Sequence, residues 1–474
     1  MNKIFLFSIF FLCLLVHFPV HAQIGTRFTS ERKVVKDPVT GTKLTFLTST
    51  PAGDSKIYQT HNQWTSDSQW LIFRSDRVKG EAMAVNEKSG EIIQVTEGGY
   101  TGMLNVARKS MKLYFMRDIL SDEEKAFRPD MFPRDSLRAM YKRGEFRPRK
   151  HAVQIMEVDL EKLFADSKSG KMQVSSVYQR ICATIPEVIS AGGDMALDGD
   201  EQWVYFRVGK EEATKHLPDS MKVEENFGPR NMGAGPSGIG SMNINTGEIR
   251  YVVSTPFQIG HIQTNPWVPG QIVFCWETGG KSPQRTWIVN SDGTGLRPLY
   301  PESPYEWVTH EAVISPDEVA IAIMGHRKIP NASGDSIKGT DVKGANPGQE
   351  AAWGPSGTRE KPTGLGIVNV NTREMTIVGQ TPKGSGFWHV NGSADGRFAV
   401  GDDFERNLYL IDRHTHEMIL LTTGHKVTAA DHLHPTFSPD GTRIEIQSAM
   451  LSDDNKSMNI CIVPVPEKWL KRKY

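Results

Sequence analysis

Cysteine is scarce in this chain, and neither sign of charge predominates. Four cysteines occur in 474 residues, and Cys13 lies close to the N-terminus. The other three, Cys182, Cys275 and Cys461, are too scattered for a disulfide framework or a zinc knuckle, so we interpret them as small buried apolar residues. Lysine plus arginine and aspartate plus glutamate each number 55. This balance gives no indication of nucleic acid or an anionic membrane as the main partner.

Long apolar runs are lacking beyond the N-terminus. Near the N-terminus, Lys3 is followed by an apolar run over 4–16 and by the small-residue cleavage site Val20-His21-Ala22. This is the pattern of a secretory signal peptide. No later segment has the roughly 18 uninterrupted apolar residues that a membrane-spanning helix needs. We therefore predict that 1–22 is a signal peptide and that the mature protein is exported, to the periplasm or the medium, with no membrane association after the signal is removed.

A turn motif recurs along the rest of the chain. Its clearest copy is Phe437-Ser438-Pro439-Asp440-Gly441, followed by a short alternating apolar segment. Six weaker copies, each followed by a similar segment, lie at 63–67, 106–110, 195–199, 266–270, 313–317 and 391–396. Further short strands separate the copies. Four short strands in every roughly 40 to 50 residues are typical of a β-propeller blade.

The repeat predicts an all-β fold, a single seven-bladed β-propeller over 23–474 with four-stranded antiparallel blades. The last unit supplies only three strands, whereas the strand-like segment 43–48 stands alone ahead of the first unit. Pairing of this N-terminal strand with the last C-terminal blade would close the ring and remove exposed sheet edges. Stretches near 121–150 and 330–362 do not follow the repeat. We interpret them as insertions, either functional loops or tolerated surface excursions.

Six of the 14 histidines fall at one position of the repeat, the start of the innermost strand of a blade. They are His61, His261, His310, His389, His432 and His434. Because innermost strands line the central channel of a propeller, we expect these side chains to converge at one mouth of it. His432 and His434 would share one face of a strand. Neutral imidazoles are common metal ligands, and all-nitrogen ligation favours manganese, iron, nickel or zinc over calcium.

Other polar and aromatic residues fall close to these histidines. Arg285 lies in the same blade as His261, and a guanidinium can hold a carboxylate through two parallel hydrogen bonds. Trp388 adjoins an inner strand, where it would pack in the core or stack on a sugar. Four carboxylates that could orient the imidazoles are Glu311, Asp402, Asp403 and Asp431.

At these residues the chain resembles the oligogalacturonate lyases, seven-bladed propeller enzymes of pectin breakdown. The matching stretches are Gln94-Val95-Thr96-Glu97-Gly98, Gly260-His261 with Val273-Phe274-Cys275, Arg285-Thr286-Trp287 continuing to Gly293, Thr309-His310-Glu311, and His432-Leu433-His434-Pro435. The likeness covers most of the mature chain. The last four stretches are specific, whereas propellers in general share the turns.

The resemblance implies a manganese site held by His310, His432 and His434, with His261 as the catalytic base. The family also has a glutamine ligand shortly before the His-X-His pair, where this chain has Ala429 or its neighbours. It has an arginine ahead of the Gly-His motif, where this chain has 238–241, and Arg230 lies nearby. These two departures from the family pattern bear on which substrate the protein acts on more than on its fold.

The expected chemistry is metal-assisted β-elimination on a uronic acid, giving a 4,5-unsaturated product. Arg285 and the metal would stabilise the developing charge, and His261 would take the C5 proton. His389 or water would protonate the leaving oxygen, while His61, Arg230 and Trp388 would contact the acidic oligosaccharide. Two alternatives stay open: a lyase or glycosidase for another acidic glycan, such as a rhamnose-glucuronate polymer, and a non-catalytic periplasmic binding propeller.

Overall fold

The strands form seven separate antiparallel sheets that follow one another along the chain. The computed structural model describes residues 23–121, 151–225, 232–278, 282–302, 306–326, 363–381 and 386–474. The predicted signal peptide, nearly all of the first insertion and all of the second lie outside these ranges. Each sheet is one blade, so the seven-bladed all-β propeller predicted from the repeat is confirmed.

The first four blades have the following strands, given from the innermost outward. Blade 1 contains Ser55–Lys56, Trp70–Arg74, Ala82–Asn86, Ile92–Gln94 and Arg27–Phe28. Blade 2 contains Thr101–Val106, Lys112–Asp118, Val153–Asp159 and Gln179–Ile185. Blade 3 contains Gly192–Leu197, Trp203–Val208, Ala234–Asn243 and Ile249–Phe257. Blade 4 contains Ile259–Thr264, Gln271–Trp276, Thr286–Asn290 and Arg297–Pro298.

The last three blades continue the series. Blade 5 contains Glu306–Ser315, Glu318–His326, Gly364–Asn369 and Met375–Gly379. Blade 6 contains His389–Gly392, Phe398–Asp402, Leu408–Asp412 and Met418–Thr422. Blade 7 contains Thr436–Phe437, Arg443–Ser448, Asn459–Pro464, Lys43–Phe46 and Lys33–Lys36. Blades 1 and 7 therefore have five strands rather than the predicted four, because the N-terminal segment adds one outer strand to blade 1 and two to blade 7.

The N-terminal strand Lys43–Phe46 pairs antiparallel with the third strand of blade 7. Thr45 lies opposite Ile462, and Phe46 lies opposite Cys461. On its other side this strand pairs with Lys33–Lys36, whose residues are largely exposed. The sheet of blade 7 is thus built from both ends of the chain.

The hydrophobic core is divided into seven clusters, and each cluster lies between two adjacent blades. Between blades 7 and 1, for example, Leu47 and Ile460 pack with Leu71 and Phe73. Because a middle strand is covered by a neighbouring blade on both faces, its residues are buried without alternation, as in Leu408–Asp412. This arrangement explains how a chain of this length forms a core without one large central layer.

The recurring turn has a specific structural role. In its clearest copy the Ser438 hydroxyl donates to Asp440 Oδ1 at 2.6 Å, and Asp440 Oδ1 also accepts from Thr442 N at 3.1 Å. Gly441 has φ +68°, a conformation that glycine adopts without strain. Ser393 and Asp395 repeat the hydroxyl-to-carboxylate bond at 2.6 Å. The turn reverses the chain between the first and second strands of a blade.

Helices are few among the described residues. The α-helices are Leu160–Ser169, Lys210–Lys215 and Glu467–Leu470, and two 3₁₀ turns occur at Ser175–Val177 and Glu187–Ile189. None of these helices has the length and apolar character needed to cross a bilayer. All three cysteines in the described ranges are free; Cys275 and Cys461 are buried, and Cys182 is half-buried. The interpretation of the cysteines as unpaired packing residues therefore holds fully for two of the three.

Candidate active site

Three of the predicted site histidines have left-handed backbone conformations. The φ angles are +49° for His261, +41° for His310 and +50° for His434. The pairing register shifts between Gly260 and Gln263, and again across His310, so the first two histidines lie on β-bulges. A bulge redirects a side chain, and a non-glycine residue at positive φ costs of the order of 1–3 kcal/mol. The fold therefore sustains strain at the positions that aim these imidazoles.

His389 lies at the centre of the histidine cluster. Its ring centroid is 3.8 Å from that of His434, 4.3 Å from that of His310 and 5.5 Å from that of His432. His261 is the outlying member, with its ring centroid 6.2 Å from that of His310. Five of the six histidines predicted from the repeat, those of blades 4 to 7, thus converge beside the inner strands.

A buried carboxylate orients part of this cluster. Asp402 Oδ2 accepts from His432 Nδ1 at 3.1 Å, and Asp402 Oδ1 accepts from the His389 backbone N–H at 2.9 Å. One ligand atom from each of His389, Asp402 and His432 lies within 4.8 Å of the others, the spacing of a metal-binding group. His389 Nδ1 is buried, 3.4 Å from Asp402 Oδ1, and makes no hydrogen bond. This buried set of imidazole nitrogens and a carboxylate offers the donor atoms that suit a divalent cation.

The electrostatics of the cluster favour neutral imidazoles. Burial, followed by the neighbouring His434, lowers the pKa of His389 to about 3. Burial and the adjacent histidines likewise hold the pKa of His310 well below its usual range. Because a metal binds the unprotonated ring, both side chains are in the ligand form at neutral pH.

His434 has partners on both ring nitrogens. Its Nδ1 lies 3.0 Å from Gln59 Oε1, and its Nε2 lies 2.9 Å from Asp431 Oδ2. Ligation by His434 would require it to exchange one of these contacts. The ligand set His310, His432 and His434 stays a prediction, and the structure adds His389 and Asp402 as candidates.

His261 belongs to a second, acidic group. Its Nδ1 lies 3.0 Å from Glu311 Oε1, its Nε2 lies 3.4 Å from Glu277 Oε2, and its backbone N–H donates to Asp194. Although burial opposes protonation, Glu311 and Glu277 raise the pKa of His261 above its usual value. The two carboxylates therefore stabilise the imidazolium that forms when the ring accepts a proton.

Arg285 is buried beside His261 and is already paired. Its Nε donates to Glu311 Oε2 at 3.0 Å, and its Nη2 lies 3.2 Å from His261 Nδ1. Despite burial, this guanidinium and His261 lower the pKa of Glu311 to about 2, so the carboxylate is ionised. The Nε of Arg285 is therefore engaged by Glu311, and the two-bond grip of Arg285 on a substrate carboxylate stays a prediction.

The remaining predicted residues separate into two places. The Trp388 ring lies 4.8 Å from that of His310 and 5.2 Å from that of His432, so it borders the cluster. His61 instead lines a cavity of about 230 Å³, and its Nε2 pairs with the Met195 carbonyl at 2.8 Å. Arg230 lies outside the described residues. Substrate contact by these three side chains stays a prediction.

One step of the sequence reasoning needs correction. The segment that contains His432 and His434 precedes the strand Thr436–Phe437 and is itself irregular, so alternation does not place the two imidazoles on a common face. Asp403 also differs from the expectation, because it binds Asn407 rather than a histidine. Glu311, Asp402 and Asp431 do pair with imidazoles, as predicted.

Sequence reasoning missed Tyr58 and Gln59. The Tyr58 ring centroid lies 5.1 Å from that of His261 and 5.0 Å from that of His434. Burial and nearby carboxylates raise the pKa of Tyr58, so the phenol stays protonated. The His61 N–H donates to the Tyr58 carbonyl at 3.0 Å in a turn, and it is the Tyr58 ring that contacts the cluster. Counting back from the turn motif assumed a straight strand and so selected His61.

The fold is shared with known lyases. No protein-family model and no curated protein sequence matches the chain. One matching solved structure is an oligogalacturonate lyase in complex with manganese, with a TM-score of 0.64 and 16% identity, covering 95% of this chain and 100% of that chain. Another is the oligogalacturonate lyase of Vibrio parahaemolyticus, with a TM-score of 0.64 and 17% identity, covering 94% of this chain and 100% of that chain. The expected resemblance is confirmed at the level of the fold.

Proposed function

We propose that the protein is a lyase that cleaves oligosaccharides of uronic acids, oligogalacturonate first among them, by β-elimination. The observation that carries the proposal is the convergence of five imidazoles from four blades beside a buried pair, Arg285 and Glu311. The shared fold with two oligogalacturonate lyases supports it. A purely scaffolding propeller has no need of strained histidines around a cluster of carboxylates.

The reaction sets three requirements. The C5 proton of a uronate is weakly acidic, because the adjacent carboxylate already carries a negative charge. The site must therefore offset that charge, supply a base for the C5 proton, and supply a proton to the departing O4 oxygen.

The histidine cluster meets the first requirement. We propose that His310, His432 and His434, with His389 and Asp402 as further candidates, hold a divalent cation, with manganese the first choice because of the solved relative. When bound, the cation would act as a Lewis acid toward the substrate carboxylate. Arg285, which is buried beside His261, would supply a second positive charge.

His261 meets the second requirement. When its Nδ1–H donates to Glu311, Nε2 presents the lone pair that accepts the C5 proton. The imidazolium that results lies between Glu311 and Glu277 and is stabilised by both. Arg285 acts through Glu311, which it holds in place.

The test uses the mature chain, 23–474, with oligogalacturonate. We expect an ultraviolet-absorbing unsaturated product, loss of its formation after chelation, and recovery with manganese. His261→Ala should abolish the signal. The matched variant His416→Ala should retain it, because His416 is an exposed residue in the turn between the third and fourth strands of blade 6.

Three other outcomes distinguish the alternatives. A signal from rhamnose-glucuronate fragments alone would assign a different acidic glycan. New reducing ends without ultraviolet absorption would indicate a glycosidase. Binding without cleavage of any uronate would leave a carbohydrate-binding propeller. Export of the protein stays a prediction, tested by whether it is recovered outside the cytoplasm with residues 1–22 removed.

A further inference from the structure

Tyr58 lies between the two halves of the candidate site. It follows the short inner strand Ser55–Lys56 of blade 1, outside the blades that carry the histidines. Its ring centroid is 5.1 Å from that of His261, 5.0 Å from that of His434 and 6.0 Å from that of His389. The phenol thus adjoins both the proposed base and the imidazoles that would hold a cation.

The hydroxyl of Tyr58 does not take part in the hydrogen bonding of the described residues. The side chain is half-buried, and in the described part of the protein its hydroxyl makes no hydrogen bond. By contrast, other buried phenols bind protein groups; for example, the Tyr114 hydroxyl donates to Glu157 at 3.0 Å. A phenol that borders a charged site without a partner is free to bind a ligand.

His389 is less suited to the third requirement of the reaction. It is only 2% exposed, and it lies against Asp402 and the stacked ring of His434. A leaving oxygen would have little access to this ring. The more accessible proton donor is the hydroxyl of Tyr58, whose half-buried ring lies 5.1 Å from that of His261.

We propose that Tyr58 protonates the leaving O4 oxygen in the elimination; this inference rests on the proposed lyase function. His261 Nε2 takes the C5 proton, and the electron pair of that C–H bond forms the C4–C5 double bond. The C4–O4 bond breaks, and O4 takes its electron pair together with the Tyr58 proton. The phenolate then recovers a proton from water, and His261 releases its proton, so each turnover leaves both side chains as they began.

The test compares Tyr58→Phe with wild type on two substrates. One is an O4-linked uronate oligosaccharide, and the other is a 4-deoxy-4-fluoro uronoside, whose fluoride departs without protonation. Removal of a general acid should lower kcat on the oligosaccharide by about 10²- to 10⁴-fold. The fluoro substrate should lose far less, because its leaving group needs no proton. Tyr178→Phe, which removes a hydroxyl in blade 2, is the matched control.

The outcomes separate this inference from the function on which it rests. Unchanged cleavage of the oligosaccharide by Tyr58→Phe, or equal losses on both substrates, would overturn the role of Tyr58 while leaving the lyase intact. Failure of the wild type to form an unsaturated product from any uronate would overturn both. Unchanged melting temperature and metal content in Tyr58→Phe would show that the loss is chemical, since phenylalanine retains the ring packing.

Discussion

Replacement of Glu277 by glutamine should move the pH dependence of the enzyme. Glu277 Oε2 lies 3.4 Å from His261 Nε2, and Glu277 and Glu311 together raise the pKa of His261. The base must be neutral to accept a proton, so kcat/KM should rise with pH through this elevated pKa. Glu277→Gln removes one negative charge and should shift that limb to lower pH.

The size of this shift follows from the distance. Two unit charges about 4 Å apart interact by about 1 kcal/mol in water and about 4 kcal/mol near a protein surface. One pKa unit corresponds to about 1.4 kcal/mol, so we expect a shift between about one and about three pH units. The His261 and Glu277 side chains are only 21% and 15% exposed, so solvent screens the pair weakly, which favours the upper end.

The assay is the pH profile of kcat/KM for product formation. Glu417→Gln is the control, because Glu417 binds Arg472 on an exposed surface. A limb that stays in place in Glu277→Gln, or that moves to higher pH, would refute the assignment of His261 as the titrating base.

Three further predictions concern the frame of the site. Asp402→Asn should weaken metal binding by about 10- to 100-fold, measured by competition with a chelator, because the carboxylate orients its imidazoles; unaltered affinity would contradict this. Gly260→Ala would place a Cβ 2.8 Å from the Glu277 Cβ, so it should displace that carboxylate and shift the pH limb downward, as Glu277→Gln does. Lys56→Met would leave Glu445 buried without its cation. Burial raises the pKa of Glu445 to about 7, above its ordinary value of 4.5. Below pH 4.5 the carboxyl is protonated in both the folded and the unfolded state and does not affect stability. As the pH rises toward 7 the carboxyl ionises first in the unfolded state, so the folded state loses stability. Urea unfolding should therefore show a loss of about 3–5 kcal/mol near neutrality and a smaller one in acid, and an equal loss at both would contradict it.

The architecture could be predicted because its causes are local. Four of the seven turn copies are closed by their own hydroxyl and carboxylate, as at Ser438 and Asp440. The strand that follows the turn is apolar because two blades cover it. Such features repeat in the sequence and can be counted. The fifth strands of blades 1 and 7 were missed, because Arg27–Phe28 has only two residues and Lys33–Lys36 is short and largely exposed.

The membership of the site was only partly predictable. The histidines could be found by their spacing from the turns, but spacing is blind to bulges at His261 and His310 and to the turn at Tyr58. Those irregularities decide where each side chain points. Arg285 was placed correctly, but its pairing with Glu311 of the next blade could not be read from either strand alone.

The sequence by itself determined the seven blades and the residue types that gather at the inner strands, since turn chemistry and apolar patterning act over a few residues. Only the tertiary structure decided which groups meet: His389 among the other imidazoles, Glu311 and Glu277 on His261, and Tyr58 between them. Contacts between blades join residues that are distant in the chain, and their geometry depends on how the sheets pack and where strands bulge.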